Sequence, residues 1–284
     1  MLESEAQEQE RWDRPYSPAI PGLPIEVTTA ADLRRRAGDD LLQRPGRVPF
    51  HVVLICTAGD GHHEVDFTPV SLHPLRVVHI RPGQVHRWCS PGSYQATLVI
   101  FLDTAADLPA AGWPVGPRWF DITDTEWNHV RTTIQLIRRE LTVDRGHERR
   151  KRALSGALEV LIVGLGLDLE SEPSAGSLPQ PYIDLMNQIA TDPGWSRSVE
   201  NRARQLGYSQ RTLTRGCLTA TGRSAKQVID DRVLLEAQRL LAVPEHTITD
   251  VANALEFTEP GNFSKFFKRT AGESPAEWRH QTLR

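Results

Sequence analysis

The period of the apolar positions changes along the chain. From about Ile25 to Leu102, apolar runs rich in β-branched residues (FHVVLIC, HHEVDF, LRVVHI, QATLVIF) alternate with Gly, Pro and Asp clusters, which predicts short strands in a small all-β sandwich or barrel. After the passage LPAAGWPVGPRW the spacing lengthens to three and four. Trp127, Val130, Ile134 and Ile137 then share one helix face behind Asp124 as the expected N-cap, and Leu154, Leu158, Leu161, Ile162 and Leu165 share a face of a second helix over about 149–169. Residues 170–180, ESEPSAGSLPQ, have linker composition with no apolar period. The expected order is an N-terminal extension (1–24), a β domain (25–110), a helical packing or dimerisation segment (111–169), the linker, and a helical domain (181–284).

The helical domain contains a repeat. In SVENRARQLGYSQRTLTRGCLTATG, a short helix, a turn at Leu206-Gly207-Tyr208 and an N-cap at Ser209 lead into a second helix. Its Arg211, Thr214 and Arg215, spaced three and four apart and preceded by Gln210, lie on one face. The layout returns in TITDVANALEFTEPGNFSKFFKRTAG, with Thr249 expected to cap the first helix and Thr258 the second. There Phe263, Phe266 and Phe267 form the inner side, and Asn262, Ser264, Lys265 and Lys268 the outer. Ala252 aligns with Ala203, Leu255 with Leu206, Thr258 with Ser209 and Lys265 with Arg215. Between the repeats, Val228, Ile229, Val233, Ala237, Leu240 and Leu241 predict one connecting helix over about 224–242. Two helix-turn-helix units held by one helix suit an asymmetric DNA site, because recognition helices entering successive major grooves lie about 34 Å apart.

Charge and composition sharpen this picture. The net charge of −3 speaks against nucleic acid on average, but 14 of the 33 basic and 12 of the 36 acidic residues fall in 181–284, leaving 19 against 24 before it. No acid occurs from Arg202 through Ile229 or from Gly261 to Gly272. Basic side chains without nearby acids neutralise phosphates and release counterions. Three scattered cysteines exclude a CxxC zinc site and fit a reducing compartment. The acidic, polar N-terminus and the lack of a long apolar run point to a cytoplasmic protein outside the membrane.

The C-terminal region resembles the AraC/XylS family of bacterial regulators over residues 181–284. The resemblance rests on Ala203-x-x-Leu206-Gly207-Tyr208-Ser209-x-Arg211-Thr212-Leu213-x-Arg215, on Arg232-x-x-x-x-Ala237-x-x-Leu240-Leu241, and on Phe257-Thr258-x-x-x-x-Phe263-Ser264-x-x-Phe267-Lys268-x-x-x-Gly272-x-Ser274-Pro275. It implies sequence-specific transcription control, usually activation through RNA polymerase, with base contacts from Arg211, Thr214 and Arg215 and from Pro260, Gly261, Ser264 and Lys265. Against the family pattern, Arg202 stands at an apolar core position, Glu256 at a usual glycine, and Gly216 and Cys217 replace bulkier residues, which predicts looser packing of the first recognition helix.

Six of the ten histidines lie between residues 51 and 86. Phe50-His51, Gly59-x-Gly61-x-His63-x-Val65-Asp66-Phe67 and Arg81-Pro82-Gly83-Gln84-Val85-His86-Arg87-Trp88 resemble the cupin-like sensor of AraC regulators. The resemblance implies a small-molecule effector pocket, for which His51, His63, His86 and Trp88 are the lining residues. His62 and His63 point to opposite faces of a strand, so a same-face His-x-His metal pair is missing. The expected class is α+β: a cupin-like β-barrel with a helical pair, then an all-α domain of two helix-turn-helix units. The expected protein is a homodimeric, effector-controlled DNA-binding regulator, not an enzyme and without a cofactor. The alternatives are a metal-dependent cupin enzyme tethered to a DNA-binding domain, and an effector-free regulator whose β domain only oligomerises.

Overall fold

A run of seven consecutive buried residues, Phe50 to Cys56, sets the middle of the first unit. In the computed structural model, which describes residues 23–90, 92–106, 118–143, 146–167, 178–191 and 198–283, the chain divides into two compact units. The first contains β1 (Ile25–Thr29), α1 (Ala30–Ala37), α2 (Asp39–Gln43), β2 (Gly46–Arg47), β3 (His51–Gly59), β4 (Gly61–Val65), β5 (Thr68–Leu72), β6 (Arg76–Ile80), β7 (Val85–Trp88) and β8 (Tyr94–Phe101). A 3-10 turn (Asp103–Ala105), β9 (Arg118–Asp121), α3 (Asp124–Thr142) and α4 (His147–Gly164) complete it. The strands form two antiparallel sheets, ordered β1-β8-β3-β6-β9 and β2-β7-β4-β5.

Strand alternation sends every second side chain to the same face. Val52, Leu54 and Cys56 of β3, Val78 and Ile80 of β6, and Leu98 and Ile100 of β8 meet Val65, Val70, Leu72 and Trp88 of the smaller sheet in one apolar core. The other parity, Val53, Ile55, Val77 and Val99, is equally buried. Helix α3 contacts β1, α4 contacts the 3-10 turn, and Arg118 of β9 donates to the Leu167 carbonyl at 3.1 Å beyond the end of α4. The helical hairpin therefore lines the second face of the five-stranded sheet, and β3 is apolar on both sides.

On that second face, His51 and His79 form a relay. The His51 ring stacks on Phe101 with centroids 4.7 Å apart, its Nε2 lies 2.7 Å from Asp103 Oδ1, and its Nδ1 lies 3.0 Å from His79 Nε2. A carboxylate only accepts, so Nε2–H of neutral His51 donates to Asp103 and Nδ1 accepts from His79 Nε2–H. Burial pushes both imidazoles below their ordinary value, His79 furthest, while the Asp103 bond partly opposes the shift at His51.

The second unit is helical: α5 (Gln180–Thr191), α6 (Val199–Gln205), α7 (Gln210–Thr221), α8 (Ala225–Leu241), α9 (Ile248–Ala254), α10 (Pro260–Ala271) and α11 (Pro275–Thr282). Ser198, Ser209 and Ser224 accept from the backbone N–H of Asn201, Thr212 and Gln227, holding the first turns of α6, α7 and α8. Both α7 and α10 pack on α8, and each ends in a left-handed glycine, Gly222 or Gly272. Phe257, Phe263 and Phe267 make successive edge-on contacts, and Trp278 of α11 closes the row against Phe267 at 6.2 Å. Each fully buried phenylalanine contributes about 1.5–3 kcal/mol.

Several boundaries differ from the sequence reading. Thr123, not Asp124, caps α3, because its hydroxyl and the Glu126 carboxylate complete a capping box. Thr247, not Thr249, caps α9 by the same device with Asp250. Glu259, not Thr258, is the N-cap of α10, since the second turn is one residue longer than the first. Helix α4 stops at Gly164 instead of about 169, where Leu165 and left-handed Gly166 turn the chain; 168 and 169 lie outside the described residues. Strand β9 lies within the segment assigned to helices, and helices α1 and α2 stand among residues read as strands. The extension 1–22 and most of the linker also lie outside the described residues.

The two helix-turn-helix turns share one hydrogen bond: Tyr208 N–H donates to Ala203 O at 2.8 Å, and Phe257 N–H to Ala252 O at 2.9 Å. Both need a left-handed residue, supplied by Gly207 (φ 73°) in the first and Glu256 (φ 55°) in the second. An L side chain in that region costs about 1–2 kcal/mol, so Glu256→Gly should raise stability by about 1 kcal/mol in urea unfolding; a lower midpoint would show that the Glu256 side chain outweighs its strain. The histidine relay predicts a pH effect of definite sign. Because His51 and His79 are held neutral in the fold, the unfolded chain binds protons first on acidification. Their contribution is complete above the ordinary imidazole value of 6.5 and drains as pH falls below it. The difference in melting temperature between neutral pH and about pH 5 should shrink in a His51→Gln, His79→Gln variant.

Candidate nucleic-acid interface and sensor interior

The two recognition helices bury the same positions. In α7, Leu213, Gly216 and Cys217 face inward, while Arg211 and Arg215 are exposed and Thr214 is half-buried. In α10, fifty residues on, Phe263, Phe266 and Phe267 face inward, Gly261 and Lys265 are exposed, and Ser264 is half-buried. The stripe packed on α8 thus fixes which face looks out. Ser209 and Gln210 begin the first outer face; Thr258, Pro260 and Asn262 begin the second, and Lys268 extends it. Within α10, the Ser264 hydroxyl donates to Pro260 O at 3.1 Å and Asn262 Nδ2 to Thr258 Oγ1 at 3.3 Å. The polar outer face of α10 is partly self-satisfied.

The fold redistributes the basic stretches. Arg223 pairs with Asp231 at 2.7 Å, Lys226 pairs with Asp230, and Arg269 approaches Asp230 at 3.4 Å. Those acids lie just beyond the acid-free run, and helix α8 carries them back to it. Arg211, Arg215 and Lys265 make no ion pair with a described residue. With exposed Lys268, which likewise makes no ion pair with a described residue, they are the cations left open on the two outer faces: two arginines on α7 and two lysines on α10. Arginine's forked donors match the two acceptors on guanine's major-groove edge.

Helix α5 was not foreseen, and it explains Gly216. A Cβ added there would lie 3.1 Å from the Pro181 side chain and 3.4 Å from the Tyr182 backbone. Instead of loosening α7, glycine lets the start of α5 sit directly on it. Tyr208 in the first turn donates its hydroxyl to Asp184 at 2.6 Å, which raises its pKa, and Gln188 of α5 donates to Gln205 at 3.0 Å. No periodicity marks Asp184 as a partner. Arg202, at a position of apolar type, is 2% exposed within this unit.

The four histidine-region residues do not share a face. His63 and His86, on paired strands β4 and β7, turn toward the core between the sheets with Nε2 and Nδ1 3.0 Å apart. Trp88 stands beside His63 and stacks on Tyr94 at 5.8 Å. His51 lies across β3, on the hairpin side, in the relay with His79. Sequence reasoning missed Tyr94: it is 5% exposed, burial pushes its phenol upward, and its hydroxyl has no hydrogen-bond partner among the described residues. Gly61 admits its ring, since a Cβ there would come within 2.5 Å of it. Among the described residues, no three His, Cys, Asp or Glu side chains converge where they could hold a metal ion.

Comparison with known proteins agrees with the second unit. Residues 202–281 match a family model described as a helix-turn-helix domain. The transcriptional activator RhaR of Enterobacter sp. strain 638 is 23% identical over 242 residues, covering 82% of this chain and 86% of its own. The activator RhaS of Salmonella agona is 24% identical over 244 residues, covering 81% and 85%. Among solved structures, an apo ToxT variant from Vibrio cholerae aligns over 92% of this chain and 97% of its own, with 12% identity and a TM-score of 0.41. With its paired outer faces, its connecting helix and this match over residues 202–281, the second unit carries a helix-turn-helix domain.

Proposed function

We propose that the protein is a cytoplasmic, homodimeric transcription activator that reads an asymmetric DNA site with α7 and α10 and responds to a small molecule in its first unit. The observation that carries the reading is the common burial register of the two recognition helices, which leaves Arg211 and Arg215 open on one and Lys265 and Lys268 on the other. The relatives' description as transcriptional activators supports activation through RNA polymerase. A regulatory role also gives the first unit a task without a reaction to catalyse, and among the described residues no helix is long and apolar enough to cross a membrane.

For the effector, the inner group of Trp88, Tyr94, His63 and His86 is favoured over a set including His51. An apolar wall, a stacked ring and a buried phenol whose hydrogen bond is unmade suit a largely apolar ligand with a polar acceptor. His51 belongs to a buried structural relay. An effector acts only if it binds two arrangements of the protein with different affinity.

The two helices should contribute unequally. In gel-shift assays on a site selected from random duplexes, Arg215→Ala should weaken binding by about 1–3 kcal/mol and relax preference at one base position. Lys265→Ala should weaken binding more evenly across sequences. If Arg215→Ala left both affinity and preference intact, α7 would not be the base-reading helix.

A further inference from the structure

The first unit is acidic overall, yet one place on it reverses sign. From Arg138 to Arg152 the chain has seven Lys or Arg against three Asp or Glu. Helix α3 ends at Thr142 and α4 begins at His147, and the two pack together as a hairpin. Arg150 Nε donates to Val143 O at 2.9 Å, fastening the start of α4 to the end of α3. Arg138 and Arg139 lie in the last turns of α3, and Arg149, Lys151 and Arg152 in the first two of α4. At 1.5 Å per residue, all five lie within about 8 Å of the turn along the helix axes. Each is exposed, and none makes an ion pair with a described residue.

A solvated charged face would ordinarily be mixed in sign and spaced to suit its helices. This one is weighted seven to three toward positive charge. Cations near a helix N-terminus oppose its dipole, and α4 has no side-chain cap there to offset them. Arg149 and Arg152, three apart, repel along one face. Glu148 stands four residues before Arg152, in the orientation that favours pairing, and makes no ion pair with it. The tip therefore holds positive charge at a local cost in stability, and among the described residues its five exposed cations make no ion pair.

We propose that the α3–α4 tip, formed by Arg138, Arg139, Arg149, Lys151 and Arg152, is a second, sequence-independent contact for DNA phosphates. The inference rests on the DNA-binding reading of the second unit. Because both units belong to one chain, binding of DNA by α7 and α10 raises the effective concentration of phosphates for the first unit, so individually weak contacts at the tip add to affinity. The tip has five cationic side chains and no apolar centre, which fits a phosphate backbone better than a protein interface, whose core is depleted of charge. It adds hold and salt sensitivity, but no base preference.

The test is the affinity of the full chain for a random-sequence duplex of about 60 base pairs over a range of salt, with each neutralised phosphate contact contributing about 0.9 to the slope of log K against log salt. The variant R149Q/K151Q/R152Q should have a slope shallower by about 2–3 and bind about tenfold or more weakly near 0.1 M salt. R149K/R152K, which keeps the charge, should behave as the parent chain, separating charge from shape. Unchanged slope and affinity in the glutamine variant, with the parent chain binding DNA, overturn the tip assignment and leave the recognition helices standing. If DNA binding is unchanged but polymerase-dependent transcription falls, the tip meets an acidic protein surface and the proposal is likewise overturned. Failure of the parent chain to bind any duplex removes the DNA-binding reading itself.

Discussion

The burial of one stripe of each recognition helix against a shared connecting helix governs the C-terminal unit. Leu213, Gly216 and Cys217 on one side and Phe263, Phe266 and Phe267 on the other hold α7 and α10 against α8. Once those stripes are covered, the helical period leaves little choice about what faces outward. The 17 residues of α8 span about 25 Å, so spacing and orientation of the two outer faces are set by one rigid element. The loss of any stripe would disturb position before it disturbed chemistry.

The two halves of the repeat are built from different materials. The first uses small residues, glycine and cysteine, and gains its tightness from α5 lying over it. The second uses three phenylalanines, with Trp278 of α11 against the last of them. The turns differ in the same spirit: glycine adopts the left-handed conformation freely at Gly207, whereas Glu256 adopts it under strain and is followed by one extra residue. That extra residue moves the N-cap from Thr258 to Glu259, whose side chain makes no capping bond, and leaves Pro260 to begin the helix. The divergence falls on the outer faces too, where two open arginines on α7 stand against two open lysines on α10.

Much of this was legible in the sequence because helices announce their inner face by period. The repeat, the connecting helix and the outward residues of both recognition helices followed from spacings of three and four. The caps of α3 and α9 were also written there, as Thr123-x-x-Glu126 and Thr247-x-x-Asp250, but neighbouring Asp124 and Thr249 competed for the role. Two things could not be read. Strand β9 has four residues and follows a Pro- and Gly-bearing stretch of sequence, so it offers no period. Along β3, apolar residues occupy both parities because both faces are buried, and alternation alone could not tell whether His51 shared a face with the inner histidines. Asp184 and Asp103, which complete the Tyr208 and His51 contacts, are partners brought from afar by packing.

The seating of α5 at Gly216 has a mechanical side. This helix is the first described element after the segment joining the two units, and its fastenings, through Pro181, Asp184 and Gln188, go to the first helix-turn-helix unit. A pull transmitted along the chain at Leu178 is therefore borne first by α7 and the turn before it, and α8, on which both recognition helices pack, carries it toward α10. The better-armed recognition helix is also the one nearest the lever.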